Sequence, residues 1–241
     1  MISSVYAENE IFKQGFFRIG LRFEDIGARS QTDSIFEIEG ERIIGADRIT
    51  LGGINARFYL DFRDRQVFAT QGLQFLAENT SYTTLDGASG NFGLAETYLK
   101  YFGTAKVLIP VTLVVKLGGS KNYGQQIPFY KYTHLGQFSK LRGYKRNRFT
   151  GDASVYLNSE LRFHLGKVRN LFLPFETGLI GFYDVGKVWM EGNADGGWHA
   201  GYGAGFYFSP LSRDYLFTLL FESSPEEKLL FRFGFGFMLD N

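Results

Sequence analysis

The stretch KLLFRFGFGFM, Lys228 to Met238, decides the fold. Phe231, Phe233, Phe235 and Phe237 recur at every second position, with Arg232, Gly234 and Gly236 between them. Successive side chains of a strand point to opposite faces, so this spacing predicts a terminal strand over 228–238 with all four phenylalanines on one side. Before it, past the short charged turn SPEEK, the run DYLFTLLFESS places Tyr215, Phe217, Leu219 and Phe221 on one face. WHAGYGAGFYFSP (198–210) alternates Gly201, Gly203 and Gly205 with Tyr202, Ala204, Phe206 and Phe208. ETGLIGFYDVGKVWME (176–191) and SVYLNSELRFHL (154–165) read as two further strands. In the latter, Val155, Leu157, Leu161 and Phe163 oppose Tyr156, Asn158, Glu160, Arg162 and His164.

Working towards the N-terminus, strands are expected near 12–25, 48–62, 72–82, 93–103 and 107–119. The total is about ten, most of roughly 9–12 residues, against ~5–6 for strands of soluble proteins and ~9–11 for a tilted strand crossing a bilayer. Connections alternate in length: 63–71, 104–106, 166–174 and 209–214 are short, whereas 26–47, 83–92, 120–153 and 191–197 are long or charged. Short periplasmic turns opposite long external loops are the pattern of an outer-membrane barrel. The physical basis is hydrogen bonding: lipid offers the backbone no partners, so a sheet spans only by closing on itself. The expected fold is therefore all-β, an antiparallel transmembrane β-barrel facing the lipid bilayer with Phe, Leu, Tyr and Val. A soluble β-domain is the alternative, and it would need a second sheet to cover the aromatic faces.

Composition agrees. Of 241 residues, 26 are Phe, 14 Tyr and 30 Gly, with only five Pro, which favours strands and turns over helices. Lys and Arg number 26 against 25 Asp and Glu, a formal charge of +1 that points to no nucleic acid. The absence of cysteine excludes disulfides, zinc thiolates and cysteine nucleophiles. No run approaches ~18 apolar residues, as a membrane helix requires. The opening MISSVYAENEIFKQG lacks a basic segment followed by an apolar core and does not read as a signal peptide.

Between two good strands lies SKLRGYKRNRFTGD (139–152), basic and without periodicity. Leu141, Arg142, Gly143 and Tyr144, followed by Glu160 in the next strand and by Asp184, Gly186, Val188 and Trp189 in DVGKVW, resemble the C-terminal part of the Omp85 superfamily, the BamA/TamA-type barrels of bacterial surface antigens. DFRDRQVFATQGLQFLAE resembles a family turn: Asp64 and Gly72 match, while Val67 and Ala69 stand where prolines are usual. The resemblance implies that the loop folds back into the barrel lumen. A buried guanidinium needs a carboxylate in fork geometry. Strand parity lets Glu160 and Asp184 face inward, so Arg142 is expected to bridge them, with Lys145, Arg146 and Arg148 left in solvent.

Barrels of the resembling family have sixteen strands, and the chain is similar to roughly the last ten. Residues 1–241 are expected to form a single barrel domain or a C-terminal barrel fragment, with no POTRA or enzymatic domain. By resemblance the location is the bacterial outer membrane, and the function is assisting insertion, assembly or translocation of proteins. Client outer-membrane proteins and periplasmic domains are the implied partners. The alternatives are a barrel anchoring a phosphoesterase or patatin-like enzyme, and a passive pore. No enzyme activity, cofactor or metal is expected. His134, His164 and His199 lie in separate elements, no G-x-S-x-G elbow occurs, GYGAGF sits inside a strand, and Glu226 and Glu227 occupy a turn.

Overall fold

The computed structural model describes the chain except residues 1, 27–36, 39–40, 43, 46–47, 87–89, 137–139, 169–173, 193–195, 211–214, 238 and 240–241. The expected loop 26–47 falls mostly outside the described residues, as do parts of 83–92, 166–174, 191–197 and 209–214. Among the described residues fifteen strands follow in order: β1 (Ile2–Phe12), β2 (Gly15–Ile26), β3 (Glu37–Ile38), β4 (Glu41–Arg42), β5 (Ile49–Asp61), β6 (Gly72–Thr84), β7 (Asn91–Lys106), β8 (Pro110–Gly124), β9 (Thr133–Leu135), β10 (Phe149–Gly151), β11 (Ala153–Val168), β12 (Phe175–Trp189), β13 (His199–Pro210), β14 (Phe217–Ser223) and β15 (Leu230–Phe235).

Eleven of them form one antiparallel sheet in the order β1-β2-β5-β6-β7-β8-β11-β12-β13-β14-β15; β3 pairs with β4 and β9 with β10. Each strand of the large sheet lies beside the next along the chain, which is the meander of an up-and-down barrel wall. β1 and β15 do not pair with each other among the described residues. The sheet has one strand more than expected. The extra one is β1, whose register with β2 runs from Ile2 opposite Glu24 to Phe12 opposite Gly15. Its residues Ile2 to Glu10 are all exposed, so no apolar face marks it in the sequence.

Burial is inverted relative to a soluble protein. Lys100, Asn158, Glu160, Arg162, Asp184 and Glu222 are buried inside the curved sheet, while Leu117, Leu161, Tyr183 and Phe206 are exposed on its outer face. Polar inside and apolar outside is stable only where the outer solvent is lipid.

The terminal strand corrects one expectation. Phe231, Phe233 and Phe235 are 69%, 72% and 62% exposed, as an outer face requires, but Phe237 is 1% exposed. β15 ends at Phe235, and Gly236 takes φ 86°, a left-handed conformation open to glycine. The chain turns there, and Phe237 enters the lumen against Phe68, Tyr207 and Leu216. Period two therefore stops at the glycine.

Candidate functional site: the loop seated in the lumen

The long connection between β8 and β11 starts with a short 3-10 turn, Phe129–Lys131. The β9–β10 ladder, with Phe149 opposite Leu135 and Gly151 opposite Thr133, then folds it into an arm. The arm is tied across the lumen. Lys131 Nζ donates to Glu24 Oε2 at 2.6 Å and to the Tyr82 hydroxyl at 3.2 Å. Burial lowers the Lys131 pKa from its ordinary value, and Glu24 offsets only part of that. Lys140 Nζ reaches Glu96 Oε1 at 2.9 Å, and Asn158 Nδ2 donates to the Lys140 carbonyl at 3.1 Å.

At the tip, Arg142 is fully buried. Its Nε and one terminal nitrogen donate to the two Asp184 oxygens, each at 2.8 Å, and its backbone N–H donates to Asp184 at 3.0 Å. Its other terminal nitrogen donates to Glu160 Oε2. The guanidinium also lies 4.0 Å from the centre of the Phe182 ring. Burial alone would lower the Arg142 pKa; the charges of Asp184 and Glu160 outweigh it and hold the group above its ordinary value, permanently charged. β11 and β12 place the acids: Asn158 is opposite Asp184, and Glu160 is opposite Phe182.

Gly143 has φ 86°, and a Cβ there would meet the Ser223 carbonyl. Its N–H donates to Glu222 Oε2 at 3.1 Å. Glu222 in turn holds Arg232 of β15 at 2.8 and 2.7 Å. The tip of the loop thus contacts a third lumen carboxylate, which sequence reasoning missed. Glu222 stands on the polar face of β14 by parity, so the pattern marked it as inward, but pairing it with Gly143 needed the register. Gly201 completes the seat: a Cβ on it would collide with the Arg142 carbonyl. Leu141 and Tyr144 are buried with Leu135 and Tyr156, and the Tyr144 hydroxyl donates to the Ala200 carbonyl at 3.1 Å. In the DVGKVW element, Gly186 leaves space for Leu135, Val188 packs on the same cluster, and Trp189 is 40% exposed on the outer face.

Lys145 and Arg148 are exposed, as expected, and stand 3.9 Å and 3.2 Å from Glu227 and Glu226 of the turn. His199 joins them, with Nδ1 3.1 Å from Glu226 and its ring 3.7 Å from that of Phe149. The turn at 62–71 lies where a short connection was expected. Asp64 accepts from the Thr70 N–H and hydroxyl at 2.9 and 2.6 Å and from the Gln71 N–H at 3.1 Å. Burial pushes its carboxyl up, but these hydrogen bonds prevail and hold it below the usual range. The folded turn sends Phe68, at φ 62°, and Ala69 into the lumen, both fully buried. Among the described residues no group of three or more His, Cys, Asp or Glu is placed to hold a metal.

A family model described as the Omp85 superfamily domain matches residues 24–238. Among solved structures, the chain is similar to BamA from Haemophilus ducreyi lacking POTRA domains 1-3, with a TM-score of 0.68 at 13% identity. That match covers 96% of this chain and 53% of the other, so the chain spans about half the length of that relative. At this identity the likeness concerns the fold. No curated protein matches the chain.

Proposed function

Because the chain belongs to the Omp85 superfamily, we propose that it is the membrane barrel of a device that inserts or translocates proteins, with the Leu141–Tyr144 loop as an internal lid. The family and fold place it in the bacterial outer membrane. We read residues 1–241 as one barrel domain or the C-terminal part of one, in which Arg142, Glu160 and Asp184 seat the lid.

One observation carries this reading: Arg142 is fully buried in the lumen on two acids of the wall. A guanidinium is held there only if the loop is meant to stay in, since the pair must offset the desolvation of every charge involved. A filled lumen is poor design for a passive pore.

The test is reconstitution of the chain in lipid vesicles with an unfolded outer-membrane barrel as client. The wild type is expected to speed client folding over empty vesicles, and Arg142→Ala to lose most of that gain. Absence of any acceleration, together with a large conductance that Arg142→Ala leaves unchanged, would assign the chain to the pores.

A further inference from the structure

The lumen holds a second plug, opposite the loop, and one side chain joins the two. The turn at 62–71 lies on the side of the short connections, as does the chain after β15. From the turn come Phe68 and Ala69; from the C-terminal tail come Phe237 and Leu239; all four are buried. Phe68 packs against Phe237 and Tyr207 with ring centres 5.4 Å apart in each case, and against His164 at 5.3 Å. Ala69 and Leu239 share a cluster with Phe102 and Val114. The Thr104 hydroxyl donates to the Thr70 carbonyl at 2.7 Å, which fixes the turn to the wall.

Arg162 of β11 stands between the plugs, fully buried. Its Nε donates to Glu160 Oε1 at 2.7 Å, and a terminal nitrogen donates to the Ala69 carbonyl at 3.2 Å. Its guanidinium lies 3.6 Å from the centre of the Phe237 ring. Glu160 is therefore shared: Oε1 serves Arg162, and Oε2 serves Arg142 of the loop. One carboxylate and two arginines make an unbroken path from the external loop to the periplasm-side turn and tail.

We propose that Arg162 is a positioning residue that couples the seating of the loop to the docking of the turn and tail. Withdrawing the turn removes the Ala69 acceptor, Arg162 and Glu160 readjust, and Arg142 loses the fixed geometry of one of its two acids. Linkage requires the reverse as well: unseating the loop must loosen the turn. A pull on the turn from the periplasmic side then loosens the lid on the other side of the membrane. This coupling holds whether or not the barrel handles client proteins.

Hydrogen exchange with mass spectrometry on the full chain in lipid nanodiscs tests it. Phe68 belongs to the turn and not to the loop, yet Phe68→Ala is expected to speed exchange in peptides covering 141–144 by about tenfold, as couplings between sites commonly do. Gly143→Ala is expected to speed exchange over 66–71 by the same factor. Adding Arg162→Met to Phe68→Ala should leave the loop no looser than Arg162→Met alone, since the path is already cut. If each variant speeds exchange only at its own end, or if the double variant shows the product of the two single effects, the plugs are independent and the proposal fails. Should Arg162→Met not fold, the reciprocal pair Phe68→Ala and Gly143→Ala decides by itself.

Discussion

Replacing Arg142 by Met removes one charge of a contiguous buried cluster of four, Arg142 and Arg162 against Glu160 and Asp184. Glu160 keeps its 2.7 Å bond to Arg162, so it remains compensated. Asp184 loses both side-chain hydrogen bonds from Arg142, at 2.8 Å each, and keeps only the backbone N–H at 3.0 Å, while staying fully buried. Breaking a buried pair from one side costs about 3–5 kcal/mol, because the remaining charge is left without solvent or partner. Removing both partners costs far less, so Arg142→Met with Asp184→Leu is expected to lie closer to wild type than either single change. The coupling energy should reach about 3 kcal/mol. Unfolding by guanidinium, followed through Trp189 and Trp198 on refolded protein in lipid, gives the midpoints for all four members of the cycle. Single changes below about 1 kcal/mol that also add in the double variant would refute the buried-pair reasoning.

Other consequences are open to simpler assays. Gly201→Val places a side chain against the Arg142 carbonyl and should expel the loop, so protease added from outside cuts within 141–148 several times faster than in wild type. Phe237→Ala should destabilise by about 3–5 kcal/mol as a core truncation, against well under half of that for Phe233→Ala on the lipid face; equal costs would return Phe237 to the outer face. The turn should resist acid: its Asp64 carboxylate is held below the ordinary value of about 3.9, so its contribution is complete above that pH and is lost as pH falls through the lower folded value. Asp64→Asn should remove this pH dependence, read as protease cutting within 62–71 between about pH 5 and about pH 2.

The barrel wall was legible in the sequence because lipid imposes period two on every spanning strand, and Phe, Leu and Tyr repeat it from β2 to β15. β1 escaped because ISSVYAENEIF does not alternate apolar with polar residues, so period two gives no signal there. Arg142, Glu160 and Asp184 could be named through a motif and strand parity together. Parity alone tells which side chains point inward, not which ones meet. Arg162 and Glu222 were visible as inward polar groups, but their partners Ala69 and Gly143 lie 93 and 79 residues away along the chain, and only register brings them together. Phe237 was misassigned because one glycine in a left-handed conformation inverts the face of everything after it, and a pattern of alternating phenylalanines carries no record of that angle.

A side-chain-resolution structure of the chain in a lipid nanodisc, determined by electron cryomicroscopy, addresses the central claim most directly. The account predicts density for the Arg142 guanidinium inside the lumen, forked on Asp184 and touching Glu160, with lipid against Phe231, Phe233 and Phe235. A loop extended into solvent, with Arg142 remote from both acids, would contradict it.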